Sequence, residues 1–154
     1  MATARKRDTL DSISATIARI MRLSGSRAMF KRQAAAAAVE LSQPSYVLLR
    51  VLADEGPLPM GRLARLAHMD LGMAARRVQS LENDGMVVRQ SDLEDARKTL
   101  VEATGAGERA ARALQDVRRE HLARALAQWS AADLRQFDRL LSRFLADTTV
   151  TSID

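Results

Sequence analysis

The sequence predicts a mainly α-helical chain, interrupted once by a small two-stranded β-ribbon. Three observations carry that reading. Apolar residues recur at intervals of three and four along most of the 154 residues. Between "NDG" at 83–85 and "TGAG" at 104–107 the period shortens to two, in "MVVRQS" and "KTLVEA" around the acidic turn "DLEDAR". Aromatic residues make up only 3% while alanine and leucine abound, a composition that leans towards helix.

Taken in order, Leu10, Ile13, Ile17 and Ile20 form a helical stripe, and the spacing continues it through Met21, Leu23, Met29 and Phe30 into the alanine run 34–38. So narrow a stripe on so long a helix packs on another helix, here one from a second subunit. Ser42 caps a second helix with Pro44 in its first turn, and Val47, Leu48, Val51 and Leu52 are its buried stripe. Gly56, Pro57 and Pro59 then break the chain. A short helix over 60–67 turns Leu63 and Leu66 inward. The turn at 68–70 leads to Asp70, which caps a helix running to about Asn83, with Gly85 at its left-handed exit. After the ribbon, Thr104 caps a long helix reaching Trp129. Ser130 with Asp133 resembles a capping box for a last helix that carries Leu134, Phe137, Leu140, Leu141, Phe144 and Leu145 on one side; the residues from 148 onward read as a frayed tail.

The chain carries 24 Lys+Arg against 19 Asp+Glu, a formal charge of +5, nearly all of the excess as arginine. A basic surplus favours a polyanionic partner. No cysteine is present, which removes disulfides, thiolate nucleophiles, thiol redox switches and cysteine-based zinc sites. The apolar residues of 10–20 are interrupted by Asp11, Ser14, Thr16 and Arg19, so this segment reads as an amphipathic helix and neither a signal peptide nor a membrane span. A cytoplasmic location is expected.

The functional expectation comes from the 70–83 helix. At about 100° per residue, Ala74, Val78 and Leu81 share the inner face. Gly72, Arg76, Gln79 and Ser80 then point outward with Arg77 at the flank, and Met73 and Ala75 are placed to touch thymine methyl groups. A small, polar, cationic face suits a helix laid in the major groove of DNA, because arginine presents a fork of donors to guanine and glutamine can pair with adenine. At the ribbon tip, Asp95 and Arg97 stand two apart beside Lys98. A tip arginine can enter the minor groove, and the carboxylate can hold its guanidinium. Two short helices joined by a tight turn and followed by such a ribbon make a winged helix-turn-helix.

From "LSQPSYVLLRVL" through "LARLAHMD", "RRVQSLENDGMVVR" and "DLEDARKTLVEATGAG", the chain resembles the MarR (multiple-antibiotic-resistance regulator) family of bacterial transcription regulators. The family pattern is matched at Leu41-Ser42, Leu63-Ala64, Leu81 to Arg89, Asp95-x-Arg97 and Thr104-x-x-Gly107. The resemblance implies a homodimer joined through its N- and C-terminal helices (1–40 and 105–154), with winged lobes (41–104) reading a pseudo-palindromic operator in double-stranded DNA. It implies repression relieved by a small aromatic or phenolic ligand, Arg97 as the minor-groove arginine with Asp95 as its partner, and Arg76 as the recognition-helix arginine. Where many members open the recognition helix with a Ser-Thr-Val-Thr-like run, this chain has "GMAA" at 72–75, so its operator should differ.

Two further readings stay open. One is an architectural or weakly specific DNA-binding protein using the same winged helix; the other is a helical protein–protein dimer whose winged helix no longer binds DNA. No phosphate loop, nucleophile elbow, metal-ligand spacing or paired-carboxylate motif is present, so neither an enzyme, a metal nor a cofactor is expected. Tyr46, Arg50 and His68 are candidates to line a ligand pocket, with Trp129 and several methionines as further apolar surface.

Overall fold

A computed structural model describes residues 2–92, 95 and 98–151, with side chains described from residue 5. Its elements are α1 (Ala2–Ser24), α2 (Arg27–Ala36), α3 (Gln43–Glu55), β1 (Leu58–Pro59), α4 (Met60–Leu66), α5 (Leu71–Asn83), β2 (Val87–Ser91), β3 (Thr99–Ala103), α6 (Gly105–Ala125) and α7 (Ala131–Val150). The chain forms two compact units, Met1–Arg118 and Arg119–Asp154.

The first unit is organised around α3, α4 and α5. Leu48, Leu49 and Leu52 of α3 meet Leu63 and Ala64 of α4, Ala74, Val78 and Leu81 of α5, and Val87 and Val101 of the strands in one buried cluster. Ser42 accepts from Ser45 N at 3.2 Å and opens α3; Asp70 Oδ1 accepts from Met73 N at 2.8 Å and opens α5. Three helices end in the same way. Val39, Met69 and Met86 donate to Ala34, Ala64 and Leu81, while the residue before each turns left-handed: Ala38 (φ 53°), His68 (φ 52°) and Gly85 (φ 70°). Only the last of these is the glycine that such a position favours. The His68 turn aims α5 away from α4 and so makes the helix-turn-helix.

Several expectations are corrected. The first helix does not run into the alanine segment: it ends at Ser24, and Ser26 restarts the chain by accepting from Met29 N at 3.3 Å. A serine that satisfies a free amide competes with helix continuation, and the preceding Gly25 weakens it further. In α3 the buried set is Ser45, Tyr46, Leu48, Leu49 and Leu52, with Val47 and Val51 only half-buried. In α4, Ala64 takes the inner face with Leu63, followed by Ala67 just past its end, and Leu66 is 41% exposed.

The sheet has three strands, not two. β1 pairs antiparallel with β3, Leu58 opposite Val101 and Pro59 opposite Leu100, giving the order β1-β3-β2. A two-residue strand shows no period, and its proline reads as a breaker although an edge strand tolerates it. The long helix stops at Ala125, short of Trp129. α7 continues through Val150, beyond the expected start of a frayed tail. There Thr148 and Thr149 hydroxyls donate to the carbonyls of Phe144 and Leu145 at 2.8 and 2.7 Å, turning poor helix formers back onto the helix.

Candidate nucleic-acid interface

The inner face of α5 is as the sequence predicts: Ala74, Val78 and Leu81 are buried. Gly72, Met73, Arg76, Arg77, Gln79 and Ser80 are exposed. Ala75 is half-buried at the flank instead of facing fully outward. Among the described residues neither Arg76 nor Arg77 has an ion pair, whereas other cations nearby do. Glu82, the first carboxylate on α5, lies 3.6 Å from Arg89 of β2, which offsets its charge near the arginines. Gln79 Nε2 donates to Asn83 Oδ1 at 3.2 Å, so its amide is oriented by the next turn of its own helix.

Beside α5, β2 and β3 form the ribbon in register from Val87 opposite Ala103 to Ser91 opposite Thr99. Gln90 Nε2 donates to Glu102 Oε2 at 2.6 Å across it. Asp92 N donates to Lys98 O and Lys98 N to Asp95 O, both at 2.9 Å, closing the tip. Asp95 Oδ2 stands 3.8 Å from Lys98 Nζ. Arg97, and therefore its expected pairing with Asp95, lies outside the described residues. At the base of the ribbon, Thr104 N donates to Met86 O at 3.0 Å, and its hydroxyl donates to Gly85 O at 2.7 Å while accepting from Gly107 N at 3.2 Å. One threonine thus ties the end of α5, the ribbon and the start of α6 together.

The three residues expected at a ligand pocket are not brought together. His68 lines an open cavity of about 600 Å³, with Arg27, Phe30 and Lys31 from α2, Val47 from α3 and Arg77 from α5. Tyr46 does not line the cavity but is buried behind Phe30: its ring packs on that of Phe30 (centroids 6.2 Å apart), and the Arg118 guanidinium lies 4.5 Å over it. Arg118 Nε also donates to Gln33 Oε1 at 2.9 Å. Arg50 holds Asp54 through two bonds of 2.8 Å and reaches Gln115, on the side of α3 that faces α6. Trp129 packs edge-on against Phe137, centroids 5.3 Å apart, in the second unit. The cavity cations Arg27, Lys31 and Arg77 escaped sequence reasoning because they come from two helices far apart in the chain. The one available signal was that Arg77 flanks the outer face of α5 without a carboxylate partner.

The geometry defines a winged helix-turn-helix protein in which, among the described residues, α5 exposes two arginines without an ion pair and the ribbon carries Lys98 at its tip. Comparison with known proteins agrees. The MarR family model matches residues 41–99. The HTH-type transcriptional regulator YxaD of Bacillus subtilis is 32% identical over 117 residues, covering 76% of this chain and 82% of that protein. An HTH-type transcriptional repressor of Mycobacterium tuberculosis is 30% identical over 114 residues, covering 74% and 82%. A MarR family protein from Bacillus stearothermophilus shares the fold at a TM-score of 0.78 and 21% identity, over 95% of this chain and 97% of that one. The chain belongs to the MarR family and is a DNA-binding transcription regulator, not an enzyme. No helix among the described residues is long and apolar enough to cross a membrane.

Proposed function

We propose that this regulator is a cytoplasmic homodimeric repressor that binds a pseudo-palindromic operator and leaves it when a small aromatic anion or phenol occupies the cavity between α2, α3 and α5. Residues 41–104 form the reading lobe, and 1–40 with 105–154 the dimerisation region. The observation that carries the reading is the outer face of α5, where two arginines without an ion pair among the described residues stand beside the ribbon. Gly72, Met73, Arg76, Gln79 and Ser80 enter the major groove, with Ala75 and Arg77 at its edge. Asp95, Arg97 and Lys98 bring the ribbon tip to the minor groove. The name of the mycobacterial relative supports repression.

Alanine substitution at Arg76 and Arg97 tests it, because the two should fail differently. Arg76→Ala is expected to cost about 1–3 kcal/mol per half-site and to relax preference at one symmetric pair of positions. Arg97→Ala is expected to lower the salt dependence of binding by about one unit per subunit and to act mainly through A·T-rich flanks. Asp95→Ala should give a milder form of the same defect. Gel-shift titrations over several salt concentrations read all three. Normal binding by Arg97→Ala refutes the wing assignment. A wild-type protein that prefers no duplex over random sequence favours the architectural reading instead.

The cavity's chemistry supports the ligand half of the proposal. Phe30, Val47 and Met69 offer apolar surface to a ring, and Arg27, Lys31, His68 and Arg77 offer donors to a carboxylate. Since Arg77 belongs to α5, an anion held there acts directly on the reading helix. Benzoate is expected to weaken operator binding by about 5- to 150-fold, the usual range of coupling between two sites. Lys31→Ala should blunt that effect while leaving DNA affinity without benzoate unchanged. Equal affinity with and without saturating benzoate sinks the cavity assignment.

A further inference from the structure

Gly72, in the first turn of α5, is a glycine that the backbone does not require. It lacks the positive φ of Gly56 and Gly85. Glycine is also a poor helix former, so its place in a reading helix calls for another reason. What it supplies is a missing Cβ. Side chains on a helix lean towards its N-terminus, so the arm of Arg76, one turn later, runs back over residue 72. A Cβ built on Gly72 would lie 3.4 Å from Arg76 Nη1 and 3.3 Å from Asp70 Oδ1. The guanidinium therefore rests against the bare first turn, and the capping carboxylate lines the same notch. Asp70 is fixed there by its 2.8 Å bond from Met73 N. Arg76 has no ion pair among the described residues, so the absence of a bulky side chain at 72, not a salt bridge, permits this pose.

We infer that Gly72 is a specificity-determining residue, which seats the Arg76 fork against the start of α5 so that it reads the base facing residue 72 instead of the base facing residue 76. The inference rests on α5 lying in the major groove, as proposed above. Four residues of helix span about 6 Å, and successive base pairs are about 3.4 Å apart. The seated pose thus displaces the preferred guanine by about one to two base pairs towards the helix N-terminus. A Cβ alone would only come into contact with Nη1, but a branched side chain at 72 fills the notch and lifts the fork outward.

The test selects binding sites from duplexes with a randomised centre, using the full-length homodimer as wild type, Gly72→Ala, Gly72→Val and Arg76→Ala. Affinities for the selected and for random duplexes are then measured at one salt concentration. Wild type should prefer guanine at one symmetric pair of positions, and Arg76→Ala should lose that preference. Gly72→Val should displace it or reduce it by about tenfold or more, with affinity for random duplex unchanged; Gly72→Ala, whose Cβ only touches Nη1, should stay close to wild type. The Tm of Gly72→Val should equal or exceed that of wild type, since valine is a better helix former than glycine, which separates a lost preference from a lost fold. In the double variant Gly72→Val/Arg76→Ala, base preference at that pair should be no worse than in Arg76→Ala alone. If Gly72→Val keeps the wild-type preference at every position while Arg76→Ala loses it, the role of Gly72 is overturned and the groove assignment stands. If Arg76→Ala keeps the preference, both are overturned.

Discussion

Replacing Gly107 with alanine is expected to destabilise the Met1–Arg118 unit by about 2–4 kcal/mol. Gly107 is buried in the first turn of α6, where that helix crosses the base of the ribbon. A Cβ there would lie 2.1 Å from Met86 O and 3.0 Å from Leu49 Cδ2. A side-chain tip can yield a few tenths of an ångström, but the Met86 carbonyl is backbone and cannot yield alone. It accepts from Thr104 N at 3.0 Å, and Met86 N donates to Leu81 O at 2.8 Å to close α5. Moving α6 outward instead opens the core around Leu49 and Ala111. Either response removes a large part of a typical stability of about 5–15 kcal/mol. Gly61→Ala is the control, because nothing stands within 4 Å of the Cβ it would add. Urea or thermal unfolding should show Gly107→Ala well below wild type and Gly61→Ala close to it. Equal midpoints for all three proteins would refute the close approach of α6 to the ribbon.

The same junction shows what was legible in the sequence and why. Asp70, Ser42, Ser130 and Gly85 could be placed because each acts within three or four residues of itself, and their cap bonds form where that spacing predicts. Thr104 belongs with them, since its hydroxyl accepts from Gly107 N at 3.2 Å. The glycine of Thr104-x-x-Gly107 was recognisable only as a resemblance, because its physical reason is a close approach to Met86, about twenty residues earlier, which no local period reports. The break at Gly25–Ser26 was hidden for the opposite reason: the apolar spacing continues through it, and only the Ser26 cap reveals the restart. β1 is too short to have a period. In the candidate interface, the burial of Ala74, Val78 and Leu81 follows from helical geometry, and with it the exposure of the arginine face. The seat of Arg76 over Gly72 depends on atoms from two turns at once. The cavity depends on α2 and α5 meeting, so the local sequence around Tyr46 and Arg50 pointed to residues with other partners.

Placing a charge on α7 is expected to split the proposed homodimer into monomers that have lost the fold of residues 119–151. α7 is amphipathic yet buries none of its residues. Leu134, Phe137, Leu140, Leu141, Phe144 and Leu145 remain 37–66% exposed along one side. Burying the remainder of each side chain against a second copy stabilises by about 1 kcal/mol, so these six contribute about 12 kcal/mol per dimer from both subunits. That is comparable with the roughly 4–15 kcal/mol cost of association, and the exposed Leu10, Ile13 and Ile20 of α1 add further apolar area. Leu141→Glu places a carboxylate in the stripe twice per dimer, at several kcal/mol for each desolvated charge. At micromolar concentration, light scattering should then report a monomer. Circular dichroism should show reduced helix, because none of the described residues 119–151 is buried and they have no core of their own to fall back on. The cluster around Leu48, Leu63 and Leu81 lies wholly within Met1–Arg118 and should keep that unit folded. Operator affinity should collapse towards that of one reading lobe, since two half-sites are no longer held together. A folded Leu141→Glu dimer at the same concentration would show that another surface joins the subunits. A folded monomer with undiminished helix would show that α7 is stable without a partner.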